Sequence, residues 1–368
     1  MKQTTLAVIT GTRAEYGLLR PVIQKLLKTQ DVSLQVLVTG AHLAPEYGNT
    51  VSEIEADGVP IAARIPILKF GQGPLATAQT VAYTIEQFSQ WFAQHKPNAV
   101  LVLGDRYEIF AAAQAAAMTG VPIAHISGGD VNLGAADDYY RHCITKMAHL
   151  HFPSCEVSAR RVIRMGESPD TVFNVGGLGD ENIRTMQKMN RSELSDSLQF
   201  DLSGPFALVT FHPETAGGAS PTQQVRELLL SMEQIGQTYP IKWLITKANA
   251  DAGGLAINEM LDTWVQQHPQ QAMAFTSLGV KRYLSAMQYA SMVVGNSSSG
   301  VVETPTFGVP TVNIGQRQAG RIVCDNVICC DALQQEIEQA MKQALSKEFV
   351  QKAKNTVSPY NGGDTSGR

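Results

Sequence analysis

SMVVGNSSSGVVETPTFGVPTVNI, residues 291–314, decides the fold. An apolar β-branched run ends in the small polar turn GNSSSG, a helix-compatible segment with one acid follows, and a second apolar run begins just after Gly308. Two short apolar runs with a helix between them read as a βαβ unit, whose strands lie parallel in one sheet. Asn296, Ser297, Ser298 and Ser299 fill the strand-to-helix turn. Amides at a helix start lack intrahelical partners and the helix dipole adds positive potential, so an anion is favoured there and a diphosphate is the natural guest. Capping is the plainer reading, although a cap needs one such residue rather than four. A serine nucleophile on a G-x-S-x-G elbow is excluded, because Ser299 stands where that motif needs its last glycine.

The same alternation runs outward along the chain. LAVIT (6–10), LQVLVT (34–39), AVLVLG (99–104), PIAHIS (122–127) and VFNVGG (172–177) precede it in the first half; FALVTF (206–211), IKWLIT (241–246) and AMAFTS (272–277) do so in the second. Helical segments such as QQVRELLLSMEQIG (223–236) and VKRYLSAMQYA (280–290) lie between the later runs. The expectation is an α/β protein of two Rossmann-like, doubly wound domains. The polar, glycine-punctuated stretch 176–204 separates them, giving residues 1–178 to the first domain and 179–368 to the second, with the last helix a candidate to pack back on the first. PYNGGDTSGR (359–368) reads as a loop. In open α/β sheets ligands bind beyond the carboxyl ends of the strands, so two such edges facing each other make an interdomain cleft.

Composition narrows the function classes. With 368 residues the chain exceeds one ordinary core, and 44% hydrophobic residues, 17% charged residues and a net charge of -4 exclude a disordered chain and bulk nucleic-acid binding. Cys143, Cys155, Cys324, Cys329 and Cys330 make an odd set without CxxC spacing, which points to a reducing compartment. LAVIT is too short for a signal h-region, and no apolar run approaches the roughly 20 residues of a membrane span. A cytoplasmic protein without a membrane partner is expected.

Chemistry-capable residues gather after the strands. Arg13 in GTRAEYG, and Arg317 and Arg321 in GQRQAGR, suit phosphate oxygens. Asp105 in GDRYE, and Asp130, Asp137 and Asp138 in SGGDVNLGAADD, are acid/base candidates; Asp105 is expected to be desolvated, and either Asp137 or Asp138 to cap the helix that follows. His212, opening HPET, suits a phosphate or a leaving oxygen. Glu303 can accept from a ribose diol, with dipole compensation the plainer alternative. HExxH and CxxC spacings are absent and His149 and His151 lack a partner set, so neither a catalytic metal nor a cofactor is expected.

Taken in order, GTRAEYG, GDRYE, HISGGD with the following DD and RHCITKMAHLHF, VGGLGDENI, TFHPET, GNSSSGVVE and NIGQRQAGR resemble the hydrolysing UDP-N-acetylglucosamine 2-epimerases, in their sialic-acid branch. The resemblance implies a GT-B architecture with UDP held mainly by the second domain, and an oligomer of two or four copies. It implies anti elimination of UDP to a 2-acetamidoglucal, then hydration with inversion at C2 to N-acetylmannosamine. By matching motifs, Asp105 and Asp137 do acid/base work; Arg13, His212, Ser297, Ser298 and Arg317 hold the diphosphate beside Asn296; Glu303 binds the ribose; Arg106 sits near the sugar or phosphate; Asn249 and Ser277 approach the nucleoside. One departure stands out. Several sialic-acid-branch relatives carry a glutamate where this chain has Ser127, so Asp130 or Asp137 takes over its task or the substrate differs. UDP-N,N'-diacetylbacillosamine is the alternative substrate, and a GT-B glycosyltransferase the alternative activity.

Overall fold

Along strand β1 (Thr4–Thr10), Ala7 and Ile9 enter one apolar layer and Val8 enters another. Strand β4 (Ala99–Leu103) divides likewise, Val100 and Val102 against Leu101 and Leu103. A strand buried on both faces needs helices on both, which is why these runs are continuously apolar. The computed structural model describes residues 3–71, 73–133, 135–214, 220–248 and 253–368. With β2 (Val32–Thr39), β3 (Ile61–Ile65), β5 (Ile123–Ile126) and β6 (Leu150–Phe152), the first sheet has the order β3-β2-β1-β4-β5-β6, all parallel. Its order reverses between β1 and β4, which makes their carboxyl ends the expected ligand position.

The second sheet repeats the design with β7 (Phe206–Thr210), β8 (Lys242–Thr246), β9 (Ala272–Phe275), β10 (Met292–Gly295), β11 (Thr311–Ile314) and β12 (Val327–Cys330). Its order is β12-β11-β10-β7-β8-β9, again parallel throughout, so its reversal lies between β7 and β10. Ala207 and Val209 pack on one face, Phe206 and Leu208 on the other.

One compact unit comprises Met1–Asp130, Ala136–Asn182 and Pro359–Arg368; the other comprises Val131–Ala135 and Ile183–Ser358. The division falls just past the sequence boundary at 178/179 because the helix Leu178–Thr185 starts on the first unit, where Asn182 donates to the Gly17 carbonyl at 2.8 Å. The last helix, Lys347–Lys354, lies in the second unit. The segment read as a terminal loop belongs to the first: Tyr360 is buried, its carbonyl accepts from Gly177 N–H at 2.8 Å, and Ser366 N–H donates to Glu181 at 2.7 Å.

Two expectations are corrected. VFNVGG is not a full strand; Phe173 and Val175 donate to the carbonyls of His151 and Pro153, but only Val172 makes a bridge, to His151. Nor does one helix follow GNSSSG. The structure has two four-residue turns, Ser299–Val302 and Thr304–Phe307, because Pro305 has no N–H to give to the preceding turn. The five cysteines are free thiols, and among the described residues no helix is long and apolar enough to cross a membrane.

Candidate active site

In the second unit the site is built where β7 and β10 end side by side. Gly295 has φ 134°, and a Cβ there would lie 1.9 Å from the Thr210 carbonyl oxygen, so the two strand ends meet only with glycine. Asn296, fully buried, then uses both ends of its amide on one residue: Oδ1 accepts from His212 N–H at 2.7 Å and Nδ2 donates to the His212 carbonyl at 2.8 Å. Its own carbonyl accepts from Gln318 at 2.9 Å and from Arg317 at 3.3 Å, tying in the turn after β11. Three strand-end turns are thereby locked around one asparagine. Among the described residues the amides of Ser297, Ser298 and Ser299 find no backbone acceptor, and Ser298 is exposed. A rigid turn with unspent donors suits an anion even though the helix behind it is short.

A hydroxyl chain supports that turn from behind. Tyr283 Oη lies 2.8 Å from Ser299 Oγ, and Ser299 hydrogen-bonds the Glu303 carboxyl. Burial lifts Glu303 above the usual carboxylate range, opposed by the Ser299 bond. The Tyr283 phenol is pushed up to about 12, by burial first and by the Glu303 charge second. Ser277 acts locally, accepting from Gly279 N–H at 2.9 Å.

In the first unit acids and cations collect after β1, β4 and β5. Asp105 is ion-paired with Arg141, which is buried and also donates to the Asp130 carbonyl at 3.0 Å and approaches Asp138 at 3.7 Å. Sequence reading expects desolvation around Asp105; a guanidinium partner is what the fold supplies. Arg106 donates from Nε to Glu108 at 2.7 Å. His125 Nε2–H donates to the Gly104 carbonyl at 2.8 Å, and burial holds its ring down at about 4, so the turn bearing Asp105 rests on a neutral imidazole. On the β1 side, Thr12 and Glu15 form a reciprocal capping box: Glu15 Oε2 accepts from Gly11 N–H at 2.7 Å and Thr12 N–H at 3.1 Å. Glu15 is raised to about 8 by burial and then by the Glu108 charge, with Arg106 opposing.

Arg13 opens the helix Arg13–Leu26, and Asp137 opens the helix Asp137–Met147. Neither Asp137 nor Asp138 caps, since the cap position is Ala136 with no side-chain bond. Asp130 Oδ1 is engaged by Ser158 Oγ at 2.6 Å and Ser154 Oγ at 3.0 Å. Ser127 adopts φ 62°, a left-handed conformation uncommon for serine. Asn249 lies outside the described residues. Sequence reading missed Glu15, Glu108, Arg141 and Tyr283. The Thr12-x-x-Glu15 spacing marks the first; nothing local marks Arg141, whose partner lies on another strand end. Among the described residues no group of three or more His, Cys, Asp or Glu is placed to hold a metal.

The model for the family UDP-N-acetylglucosamine 2-epimerase matches residues 24–368. The GDP/UDP-N,N'-diacetylbacillosamine 2-epimerase (hydrolyzing) of Campylobacter jejuni is 38% identical over 351 residues, covering 95% of this chain and 90% of that one. The UDP-N,N'-diacetylbacillosamine 2-epimerase (hydrolyzing) of Legionella pneumophila is 33% identical, covering 98% and 93%. The crystal structure of a UDP-GlcNAc 2-epimerase from Neisseria meningitidis bound to UDP-GlcNAc has a TM-score of 0.82 at 19% identity, covering 99% and 98%, so the two parallel six-stranded sheets are a GT-B-like fold. Matched along nearly its whole length by that family model and by relatives 33% and 38% identical to it, the chain belongs to the UDP-N-acetylglucosamine 2-epimerase family.

Proposed function

We propose that the protein is a hydrolysing 2-epimerase of a UDP-linked N-acetylated hexosamine, with UDP-N,N'-diacetylbacillosamine as the preferred substrate. The observation that carries the substrate is the likeness to the Campylobacter jejuni enzyme described for that sugar. In the second unit the turn 297–299, with Arg317 and His212 around Asn296, supports assigning the diphosphate there: amides and hydroxyls supply donors and the cation supplies charge. Glu303 takes the ribose diol. Asn296 positions the turn rather than contacting the ligand. Arg13 adds a second phosphate cation.

Proton transfer falls to the first unit. One carboxylate takes the C2 proton, the C2–H electrons form the C1–C2 double bond, and the C1–O bond breaks as UDP departs. Water then adds at C1 while a carboxyl returns a proton to C2 from the opposite face. Asp105, held by Arg141, and Asp137, at the head of its helix, are assigned these steps. Asp130, occupied by two serines, is an orienting residue. A second reading keeps UDP-GlcNAc as substrate, giving N-acetylmannosamine, and rests on the description of the family model. Incubation of the pure protein with each sugar nucleotide, followed by NMR of the products, separates them. The expected result is UDP and the 2-epimeric free sugar from the bacillosamine nucleotide, with kcat/KM at least about tenfold above that for UDP-GlcNAc. The reverse preference selects the second reading, and release of UDP with an unchanged C2 configuration defeats both.

A further inference from the structure

Gly11, at the end of β1, brings two buried acids together. Glu15 reaches it through the 2.7 Å bond to its N–H, while Glu108 Cγ and Oε1 stand 2.9 and 3.0 Å from where a Gly11 Cβ would be. Each carboxyl has one satisfied and one orphaned oxygen. Glu15 Oε2 takes the amides of Gly11 and Thr12, Glu108 Oε1 takes Arg106 Nε, and Glu15 Oε1 and Glu108 Oε2 are buried without a hydrogen-bond partner. Glu15 is 8% exposed and Glu108 1%. Two ionised carboxylates in that space would repel each other and leave two desolvated oxygens unpaired, an arrangement that like-charge repulsion and burial both oppose.

We infer that Glu15 and Glu108 hold one proton between them, forming a buried acid–carboxylate pair that fixes the Arg106 guanidinium at the carboxyl edge of the first sheet. One proton on the pair removes one of the two buried charges and gives one carboxyl a hydrogen to donate. The pair then carries a single negative charge and neutralises Arg106. Because Nε of Arg106 is spent on Glu108, the pair also sets the direction of the rest of the guanidinium. Of the other charged groups nearby, Asp105 is ion-paired with Arg141, the Arg13 charge acts on His42, and burial keeps His42 neutral. The upward displacement of Glu15 agrees with the proton residing mainly there. Glu15 and Glu108 are positioning residues. Their bearing on catalysis rests on the reading that Arg106 contacts the substrate, whereas the shared proton does not.

Infrared spectroscopy of the full chain tests the pair directly. At pH 7 the carbonyl stretch of un-ionised carboxyls should contain a component absent from Glu15→Gln and lost from the wild type as pH passes about 8. The comparison with Glu15→Gln assigns the component to Glu15, because burial also raises the Glu303 carboxyl. In Glu108→Gln, which removes the repelling charge, the Glu15 component should vanish at lower pH, and this variant serves if Glu15→Gln does not fold. Activity gives the second readout: wild-type kcat/KM should decline above about pH 8, and the decline should be missing in Glu15→Gln. Identical spectra for wild type and Glu15→Gln, or a component unmoved in Glu108→Gln, overturn the pair. If the infrared component behaves as expected while no UDP-sugar is turned over, the pair stands and the substrate reading falls.

Discussion

Asn296 holds the second unit's site together, because every polar group of its amide that the structure shows in use goes to the His212 backbone. Asn296→Ala would leave a buried N–H and a buried carbonyl unpaired at roughly 1–3 kcal/mol each, so a fall of several degrees in the calorimetric Tm and weaker UDP binding by titration calorimetry are expected together. A variant that binds UDP normally would remove Asn296 from the site's support. Asp105→Asn and Asp137→Asn should behave oppositely, keeping UDP affinity while turnover falls by about 10²–10⁴, the scale of a lost acid or base. Single-turnover kinetics beside UDP titration checks both. At this scale the sequence showed where chemistry gathers but not which side chains face a ligand. The partners of Asn296 and Asp130, the His212 backbone and the hydroxyls of Ser154 and Ser158, stand on other segments, so no local motif marks them.

The elements were more legible than the residues within them. Runs such as AVLVL and FALVT announced buried parallel strands because both of their faces are covered. VFNVGG has the same composition but lies outside the edge strand β6, where one bridge replaces a ladder. GNSSSGVVETPTFG carried its own break in Pro305, so the anion affinity proposed for the turn would depend on local donors more than on a long dipole. The chain from Tyr283 through Ser299 to Glu303 tests that dependence. Tyr283→Phe removes one hydrogen bond behind the turn and should weaken UDP binding roughly 2- to 10-fold, the equivalent of one net bond. Ser298→Ala should do the same from the exposed side. Unaltered affinity in both, measured by titration calorimetry, would move the diphosphate away from this turn.

At the scale of the molecule, the two doubly wound sheets followed from the alternation of apolar runs and helices, while the return of 359–368 to the first unit did not, since PYNGGDTSGR has no periodicity to mark Tyr360 as buried. Opposed titrations shape the stability of the whole chain. His42 and His125 are held neutral down to about 4, so the unfolded chain binds more protons below about 6.5 and stability falls as pH falls through that window. Glu15 stays protonated up to about 8, so the folded chain binds the extra proton above the ordinary carboxylate range and stability falls as pH rises towards 8, by roughly 1.4 kcal/mol per unit for one group. Urea melts across this range should give a maximum near pH 6.5, and Glu15→Gln should flatten the alkaline side and steepen the acid side. In the proposed reaction UDP leaves by elimination and a carboxyl then reprotonates C2. Turnover in deuterated water, read by NMR of the free sugar, tests it most directly. One deuterium at C2 of every released molecule, with inverted configuration, is the predicted result; product carrying only hydrogen at C2 would contradict it.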